Sequence, residues 1–198
     1  MRITSHVKVA SFLLDRIDTS DDLKVNKYVF KIGAIIPDVS PVYRFMTHHF
    51  KNKHKKVEKL KNKIEKTNSS ISLAYSLGKM THFIADSFCY VHNIKLVENA
   101  FLHKKYEKKL SKQLKTSLKN GGSSPNCSYY YNGRLSSFLT YFSEEYLKQH
   151  NPDILSNDNF NNDLSYILQI NFAVIQGMIR QFEERAAVLQ PIFTETYA

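Results

Sequence analysis

Apolar residues recur at intervals of three and four positions along most of the chain, a spacing that predicts helices rather than strands. The first such stretch begins at Ser5, a suitable helix cap, and its apolar positions are Val9, Phe12, Leu13 and Ile17. A second helix is expected to begin at Ser20-Asp21-Asp22 and to end in a turn at Gly33 and Pro37.

Five more helices are predicted over about residues 51–66, 70–93, 97–118, 134–149 and 160–189, with Ser69 or Ser70 capping the second of them. The segment 120–133, rich in Gly, Ser and Asn, is the one clear loop. No stretch shows the alternating pattern of a strand. The expected fold class is therefore all-α, with residues 1–198 forming a single compact multi-helix domain.

Positive charge is concentrated in two of these helical segments. The formal net charge is +10, and residues 51–66 and 95–119 each hold eight Lys and two Glu. Such a distribution suits a surface that attracts anions, for example phospholipid headgroups or nucleic acid. The alternative is a pair of Lys-rich helix faces that are simply solvated.

Neither a membrane span nor a signal peptide is predicted. No apolar run approaches the roughly 18 residues that a span needs. Near the N-terminus, Lys8, Asp15 and Arg16 interrupt any apolar core of a secretion signal. A cytoplasmic location is the resulting expectation.

Three groups that are costly to bury stand in the apolar stretch HFIADSFCYVH: His82, Asp86 and His92. If the helix continued through residue 93, all three would fall within an arc of roughly 120°. His103 and Glu107 repeat the spacing of His82 and Asp86 on the next helix. A single pair of this kind is ordinarily an ion pair, but two pairs on successive helices offer the imidazole and carboxylate ligands that zinc prefers.

Other histidines extend the set of candidates. His6 and the doublet His48-His49 are further possible ligands near Asp38. His54, inside a lysine run, and His150, beside Asn151-Pro152, are expected to be exposed to solvent.

Taken together, GAIIPD (33–38), THHF (47–50), LGKMTHFIADSFCYVH (77–92) and HKKYE (103–107) resemble the bacterial zinc-dependent phospholipase C family. The spacing His-x₃-Asp-x₅-His followed by His-x₃-Glu is the most specific part of this resemblance. The resemblance implies an all-α fold with a trinuclear zinc site at the bottom of a cleft. Fungal single-strand nucleases are similar more distantly.

The resemblance also implies a role for each candidate. Asp86 would bridge two zinc ions, and Asp38 would be the general base or hold the attacking water beside the first zinc. The implied ligand sets are His82 and His49 with Asp86 at the first zinc, His92, His103 and Glu107 at the second, and His6 with Asp86 at the third. The adjacent His48 is the alternative to His49.

Departures from the family pattern limit what is carried over. The family binds its third zinc through the backbone of an N-terminal tryptophan, and this chain contains no Trp. We therefore expect two zinc ions and leave open whether a third binds, with or without the Met1 amine. Val39 replaces the aromatic residue of choline-recognising members, and no appended lipid-binding domain is expected.

The expected function is phospholipase C-type hydrolysis of a glycerophospholipid to diacylglycerol and a phosphorylated headgroup. The alternatives are a non-catalytic or merely metal-binding descendant and a single-strand nuclease with the same metal cluster. The expected partners are a phospholipid or another anionic phosphodiester and, through the Lys-rich helices, an anionic membrane.

Overall fold

The computed structural model describes residues 1–19, 25–40, 50–93, 99–120, 129, 131 and 133–194. Every regular element in these ranges is helical, which confirms the all-α class. The α-helices are α1 (Ile3–Leu14), α2 (Lys27–Val39), α3 (Phe50–Lys66), α4 (Ser70–Ser87), α5 (Ala100–Lys119), α6 (Leu135–Lys148) and α7 (Asn157–Thr194), and a 3₁₀ turn (Tyr90–His92) lies between α4 and α5. None of the described helices is long and apolar enough to cross a membrane.

Helix α4 is the central element, and α1, α2, α3 and α7 pack around it. Its first turn is capped by Ser69, whose side chain accepts a hydrogen bond from the Ser72 amide, as the sequence predicted. From Leu73 onward nearly every side chain is buried. A helix that is apolar on nearly all sides is suited to this interior position.

Two glycines allow α2 and α4 to pack with their backbones in contact. A Cβ atom placed on Gly78 would lie 2.0 Å from the Phe30 carbonyl oxygen, and one on Gly33 would lie 2.4 Å from the Tyr75 carbonyl oxygen. The predicted turn at Gly33 and Pro37 is therefore wrong, because α2 continues through both residues to Val39. Gly33 serves close helix packing here, and Pro37 falls in the last turn of the helix.

The start of α2 also differs from the prediction. The helix begins at Lys27, and the Asn26 side chain caps it by accepting a hydrogen bond from the Val29 amide at 3.0 Å. The predicted start at Ser20-Asp21-Asp22 lies outside the described residues, as does most of the predicted loop 120–133.

The helix predicted to run to residue 93 is shorter. Helix α4 ends at Ser87, and His92 belongs to the separate 3₁₀ turn. The Asn93 side chain donates to the carbonyl oxygens of Ser87, at 2.7 Å, and Cys89, at 3.2 Å. The bond to Ser87 satisfies a carbonyl group that the end of the helix leaves unpaired. The bond to Cys89 ties the start of the turn to the same side chain, so the two bonds stabilise the change of direction.

We predict that Gly78→Ala destabilises the protein although alanine is the better helix former. Overpacking against a backbone atom costs roughly 1–3 kcal/mol, more than the gain of up to about 1 kcal/mol in helix propensity. Urea denaturation should show a lower free energy of unfolding for Gly78→Ala. The exposed α3 substitution Asn62→Ala should change the free energy of unfolding by less than about 0.5 kcal/mol. Equal free energies of unfolding for the two variants would show that α2 and α4 can move apart without loss of stability.

Candidate metal centre

Four helices and the 3₁₀ turn bring the candidate side chains to one place. They are His6 on α1, Asp38 on α2, His82 and Asp86 on α4, His92 in the turn, and His103 and Glu107 on α5. Beside them lies an open cleft of about 510 Å³, lined by Asp38, Glu107, Pro37 and the first four residues. The cleft gives a solute access to a cluster that is otherwise largely buried.

His6, His82 and Asp86 form the first group, and all three are buried. Nε2 of His6 lies 3.4 Å from Oδ1 of Asp86, and Nε2 of His82 lies 3.5 Å from Oδ2. The two imidazole rings stack with their centroids 3.9 Å apart. Burial and the neighbouring His82 lower the pKa of His6 to about 3, so its imidazole is neutral. Neutral imidazoles beside a carboxylate are the form in which these side chains bind a metal.

The orientation of His82 is set by the close packing of α2 and α4. Its Nδ1 lies 2.9 Å from the Ala34 carbonyl oxygen and donates a hydrogen bond to it, because a carbonyl can only accept. Nε2 is thus left without the proton in the neutral ring and points toward the two carboxylates. A backbone carbonyl that accepts from the other ring nitrogen commonly fixes the tautomer of a metal-binding histidine.

Asp38 lies between the first group and the cleft. Its carboxylate oxygens are 3.7 Å from Nε2 of His82 and 3.8 Å from Nε2 of His6, and its side chain is 18% exposed. Burial raises the pKa of Asp38, and the charges of Asp86 and Glu107 raise it further, although His82 opposes them. A carboxylate with a raised pKa at the edge of a cleft is suited to accepting a proton.

His92, His103 and Glu107 form the second group. Oε1 of Glu107 lies 3.2 Å from Nε2 of His92 and 3.0 Å from Nε2 of His103. Despite partial burial, these hydrogen bonds lower the pKa of Glu107, so the carboxylate is ionised. Nδ1 of His92 faces the other way and lies 3.4 Å from Oδ1 of Asp86. His92 therefore stands between the two groups.

The amine of Met1 lies between the groups as well. Its nitrogen is 2.7 Å from Oδ1 of Asp86, 3.1 Å from Oε1 of Glu107 and 3.2 Å from Nε2 of His92. Burial alone would lower the pKa of this amine, but Asp86 and Glu107 outweigh burial and raise it to about 11. The ammonium in turn helps to lower the pKa of Asp86 against the effect of burial. A cation is thus stabilised at this point of the cluster.

The arrangement fits zinc. Around a tetrahedral ion with bonds of about 2.0–2.1 Å to nitrogen and oxygen, neighbouring ligand atoms are about 3.4 Å apart. The Asp86 oxygens are 3.4, 3.5 and 3.4 Å from the nearest nitrogens of His6, His82 and His92. Within the described part of the chain, neither ring nitrogen of buried His6 makes a hydrogen bond. A bound ion would satisfy Nε2, the nitrogen that faces Asp86.

The sequence predicts eight residues of the candidate metal site, and the structure describes most of them. Seven of the eight, all except His49, come together in the cluster; His49 and its neighbour His48 lie outside the described residues. The expected single helical arc for His82, Asp86 and His92 is wrong, because the turn, not the helix, carries His92 to Asp86. Sequence reasoning did not find the role of the Ala34 carbonyl, since a backbone group leaves no signal in side-chain patterns.

The exposure expected for the remaining histidines is also wrong for His150. Its side chain is 1% exposed, and Nε2 lies 3.2 Å from Oδ1 of the buried Asp163. His54 is half-buried, and its Nε2 lies 3.4 Å from the Ser143 hydroxyl. Asp163 does not stand out in the sequence, because it is one of four buried polar residues in the described part of α7, with Asn159, Asn171 and Gln176.

An all-α fold with a cluster of imidazoles and carboxylates beside a cleft defines a class of helical proteins with a candidate metal centre. Similarity to solved structures agrees: "Alpha Toxin from Clostridium Absonum" superposes with a TM-score of 0.60 at 17% identity. The match covers 90% of this chain and 62% of the toxin chain, so this chain spans less than two thirds of the toxin. No curated protein sequence matches this chain.

Residues 5–153 match the family described as zinc dependent phospholipase C. Because the match extends over most of the sequence, the chain belongs to this family. The matched segment includes His6, Asp38 and both groups of the cluster. The family and the donor set support zinc as the metal and a hydrolase as the kind of protein.

We predict that Asp86→Asn loses more zinc than Asp38→Asn. Asp86 contacts nitrogen atoms of three histidines, whereas Asp38 lies at the edge of the cluster, farther from His6 and His82. Elemental analysis of untagged protein, equilibrated with zinc and then desalted, should show a clear drop for Asp86→Asn and nearly wild-type zinc for Asp38→Asn. Equal losses would contradict this division of roles.

Proposed function

We propose that the protein is a zinc-dependent phosphodiester hydrolase that cleaves a glycerophospholipid in the manner of a phospholipase C. The proposal is carried by one observation: Asp38 stands between an open cleft and a buried cluster with the donor set of a zinc centre. Family membership supports the reaction class. The candidate ligands are His6, His82, Asp86, His92, His103 and Glu107, with His49 added from the family resemblance.

The residues around the cleft would have different roles in this reaction. Zinc, when bound, would lower the pKa of a water molecule toward neutrality and neutralise charge on phosphoryl oxygens. His82 would keep Nε2 available as a ligand through its hydrogen bond to Ala34. Asp86, between His6, His82 and His92, would serve both groups at once. Two ions, with a third left open beside the Met1 amine, would suit this set.

Asp38 would act as the general base. Its raised pKa makes it a better proton acceptor than an exposed aspartate, and its position beside the cleft brings it near the water that must be deprotonated. In the overall reaction, water oxygen bonds to phosphorus while the bond from phosphorus to the glycerol oxygen breaks. A proton then returns to that glycerol oxygen, and the products are diacylglycerol and the phosphorylated headgroup.

We expect Asp38→Asn to lower kcat by at least about 100-fold, as loss of a general base commonly does. The measurement is release of phosphorylated headgroup from phosphatidylcholine and phosphatidylglycerol vesicles by zinc-loaded protein, with chelator-treated protein as the blank. Asp15→Asn, at an exposed position after α1, is the matched control and should keep wild-type activity.

A single-stranded DNA digest run beside the lipid assay separates the remaining classes. Cleavage of DNA with the lipids left intact would favour the nuclease. Zinc-loaded protein that cleaves neither substrate would favour a non-catalytic descendant. Headgroup release that is unaffected by Asp38→Asn would contradict the role given to that residue.

We further propose that the protein meets its substrate on an anionic membrane through the exposed face of α5. Seven lysines are exposed on this helix: Lys104, Lys105, Lys108, Lys109, Lys112, Lys115 and Lys119. Phe101, near the start of the helix, is 76% exposed and lies two residues before His103. Helix α5 also contributes Glu107 to the cleft, so docking by α5 would bring lipid close to the candidate centre.

Vesicle binding tests this surface. Each lysine near an anionic bilayer contributes about 1 kcal/mol, so removal of four should weaken binding by at least about 100-fold at low salt. The α5 variant replaces Lys105, Lys108, Lys112 and Lys115 with Gln, in an Asp38→Asn background that leaves the lipid uncleaved. Sedimentation with phosphatidylglycerol-containing vesicles should show the loss.

A matched variant on the other basic helix is the control. It replaces the exposed α3 residues Lys55, Lys59, Lys63 and Lys66 with Gln, which changes the net charge by the same amount. Binding by this variant should fall much less than binding by the α5 variant. Equal losses would indicate a general charge effect and would remove α5 as the docking face.

A further inference from the structure

A second buried carboxylate lies outside the candidate metal centre. Asp163, on α7, is 0% exposed, and its two oxygens have four hydrogen-bonding partners. Oδ2 accepts from the backbone amide of Tyr90 at 3.0 Å and from the Tyr106 hydroxyl at 2.8 Å. Oδ1 accepts from the Tyr146 hydroxyl at 2.7 Å, and Nε2 of His150 lies 3.2 Å from the same oxygen.

Two of these donors belong to the segments that carry the second group. Tyr90 is the first residue of the 3₁₀ turn that ends at His92. Tyr106 precedes Glu107 directly on α5, one turn after His103. The two remaining donors, Tyr146 and His150, come from α6 and the residues after it, which contribute none of the candidate ligands named above. A single carboxylate thus connects the turn and the helix whose side chains must meet.

The turn is fixed at its end by the Asn93 side chain and at its first residue by Asp163. It is only three residues long, and no regular helix continues through it. The ring of Tyr90 stacks on His150 with centroids 4.0 Å apart, which adds a second link from the turn to the same network. Loss of the Tyr90 contact would leave a backbone amide unpaired in the interior, which costs free energy and favours movement of the turn.

We infer that Asp163 is a positioning residue for the second group, holding the turn and α5 in register so that His92, His103 and Glu107 converge on one ion. This inference rests on the proposed function in one respect, namely that the group binds a metal. Asp163 itself touches neither the candidate ligands nor the cleft in the contacts described above. Its effect on the metal is exerted through Tyr90 and Tyr106.

Two tyrosines provide a matched pair of variants. Tyr106→Phe and Tyr146→Phe each remove one hydroxyl donor from the same carboxylate, and both side chains are fully buried. Only Tyr106 lies on a ligand-bearing helix. Supporting groups around a metal site typically contribute 10–100-fold in affinity, so we expect about a tenfold loss of zinc affinity at the second group for Tyr106→Phe. We expect less than about a twofold change for Tyr146→Phe.

The measurement is chelator competition with zinc-loaded, folded protein, which separates the more weakly held ion from the rest. His103→Ala identifies the ion that belongs to the second group. A selective loss in Tyr106→Phe supports the inference. Equal effects in the two tyrosine variants, or no effect in either, overturn it, because a purely structural contribution would not distinguish them.

Hydrogen exchange in metal-free protein is a second readout that does not depend on zinc. Asp163→Leu should expose the Tyr90 amide and raise its exchange rate at least tenfold. Asp163→Asn should keep the protection, since an amide oxygen can accept from Tyr90 and Tyr106 while the NH₂ donates to the Tyr146 hydroxyl and to Nε2 of a neutral His150. If Asp163→Leu does not fold, the exchange rate of the Tyr90 amide in Asp163→Asn and the zinc affinities of the two tyrosine variants still test the inference.

The two readouts separate failure of the inference from failure of the proposed function. Wild-type protein that binds no zinc at the second group, but whose Tyr90 amide depends on Asp163, would contradict both the metal site and the role given to Asp163 there. Zinc binding at the second group with a Tyr90 amide indifferent to Asp163→Leu would overturn the inference alone. Rescue by Asp163→Asn, together with selective zinc loss in Tyr106→Phe, is the result we expect.

Discussion

The burial of Asp86 is the constraint on which the arrangement of the chain depends. Its side chain is 2% exposed at the end of the central helix, where an isolated carboxylate would be very costly. The groups that offset this cost come from separate parts of the chain: His6 on α1, His82 on α4, His92 in the turn and the amine of Met1. The fold must therefore bring α1 and the turn together at the last turn of α4.

The electrostatics of the cluster explain why a metal ion is the natural partner. Asp38, Asp86 and Glu107 are three carboxylates within one largely buried region, and the Met1 ammonium lies between Asp86 and Glu107. The charges of Asp86 and Glu107 raise the pKa of Asp38, which shows that the carboxylates repel one another. A divalent cation would remove this repulsion and would allow all three to remain ionised.

How much of this was predictable depends on the range of the interactions involved. The pairs His82–Asp86 and His103–Glu107 follow directly from helical spacing, and the structure brings both into contact. The end of α4 before His92 does not follow from helical spacing, because it depends on the hydrogen bonds that the Asn93 side chain donates to two carbonyl groups. Gly33 is equally ambiguous in sequence: a glycine four residues before a proline is compatible with a turn, whereas here it allows two helices to touch.

Asp86 and Asp163 show how a positioning carboxylate differs from a candidate metal ligand within the same protein. Both are buried, yet burial raises the pKa of Asp163 in spite of its four hydrogen bonds, whereas the pKa of Asp86 is lowered by the Met1 ammonium, His92 and His82. Around Asp163 every described donor reaches an oxygen at hydrogen-bond distance. Around Asp86 the nitrogens of His6 and His82 stand at 3.4 and 3.5 Å, the spacing of ligands around an ion rather than of hydrogen-bonded partners. Burial alone therefore does not mark a candidate metal ligand; the distances of the imidazole nitrogens around it do.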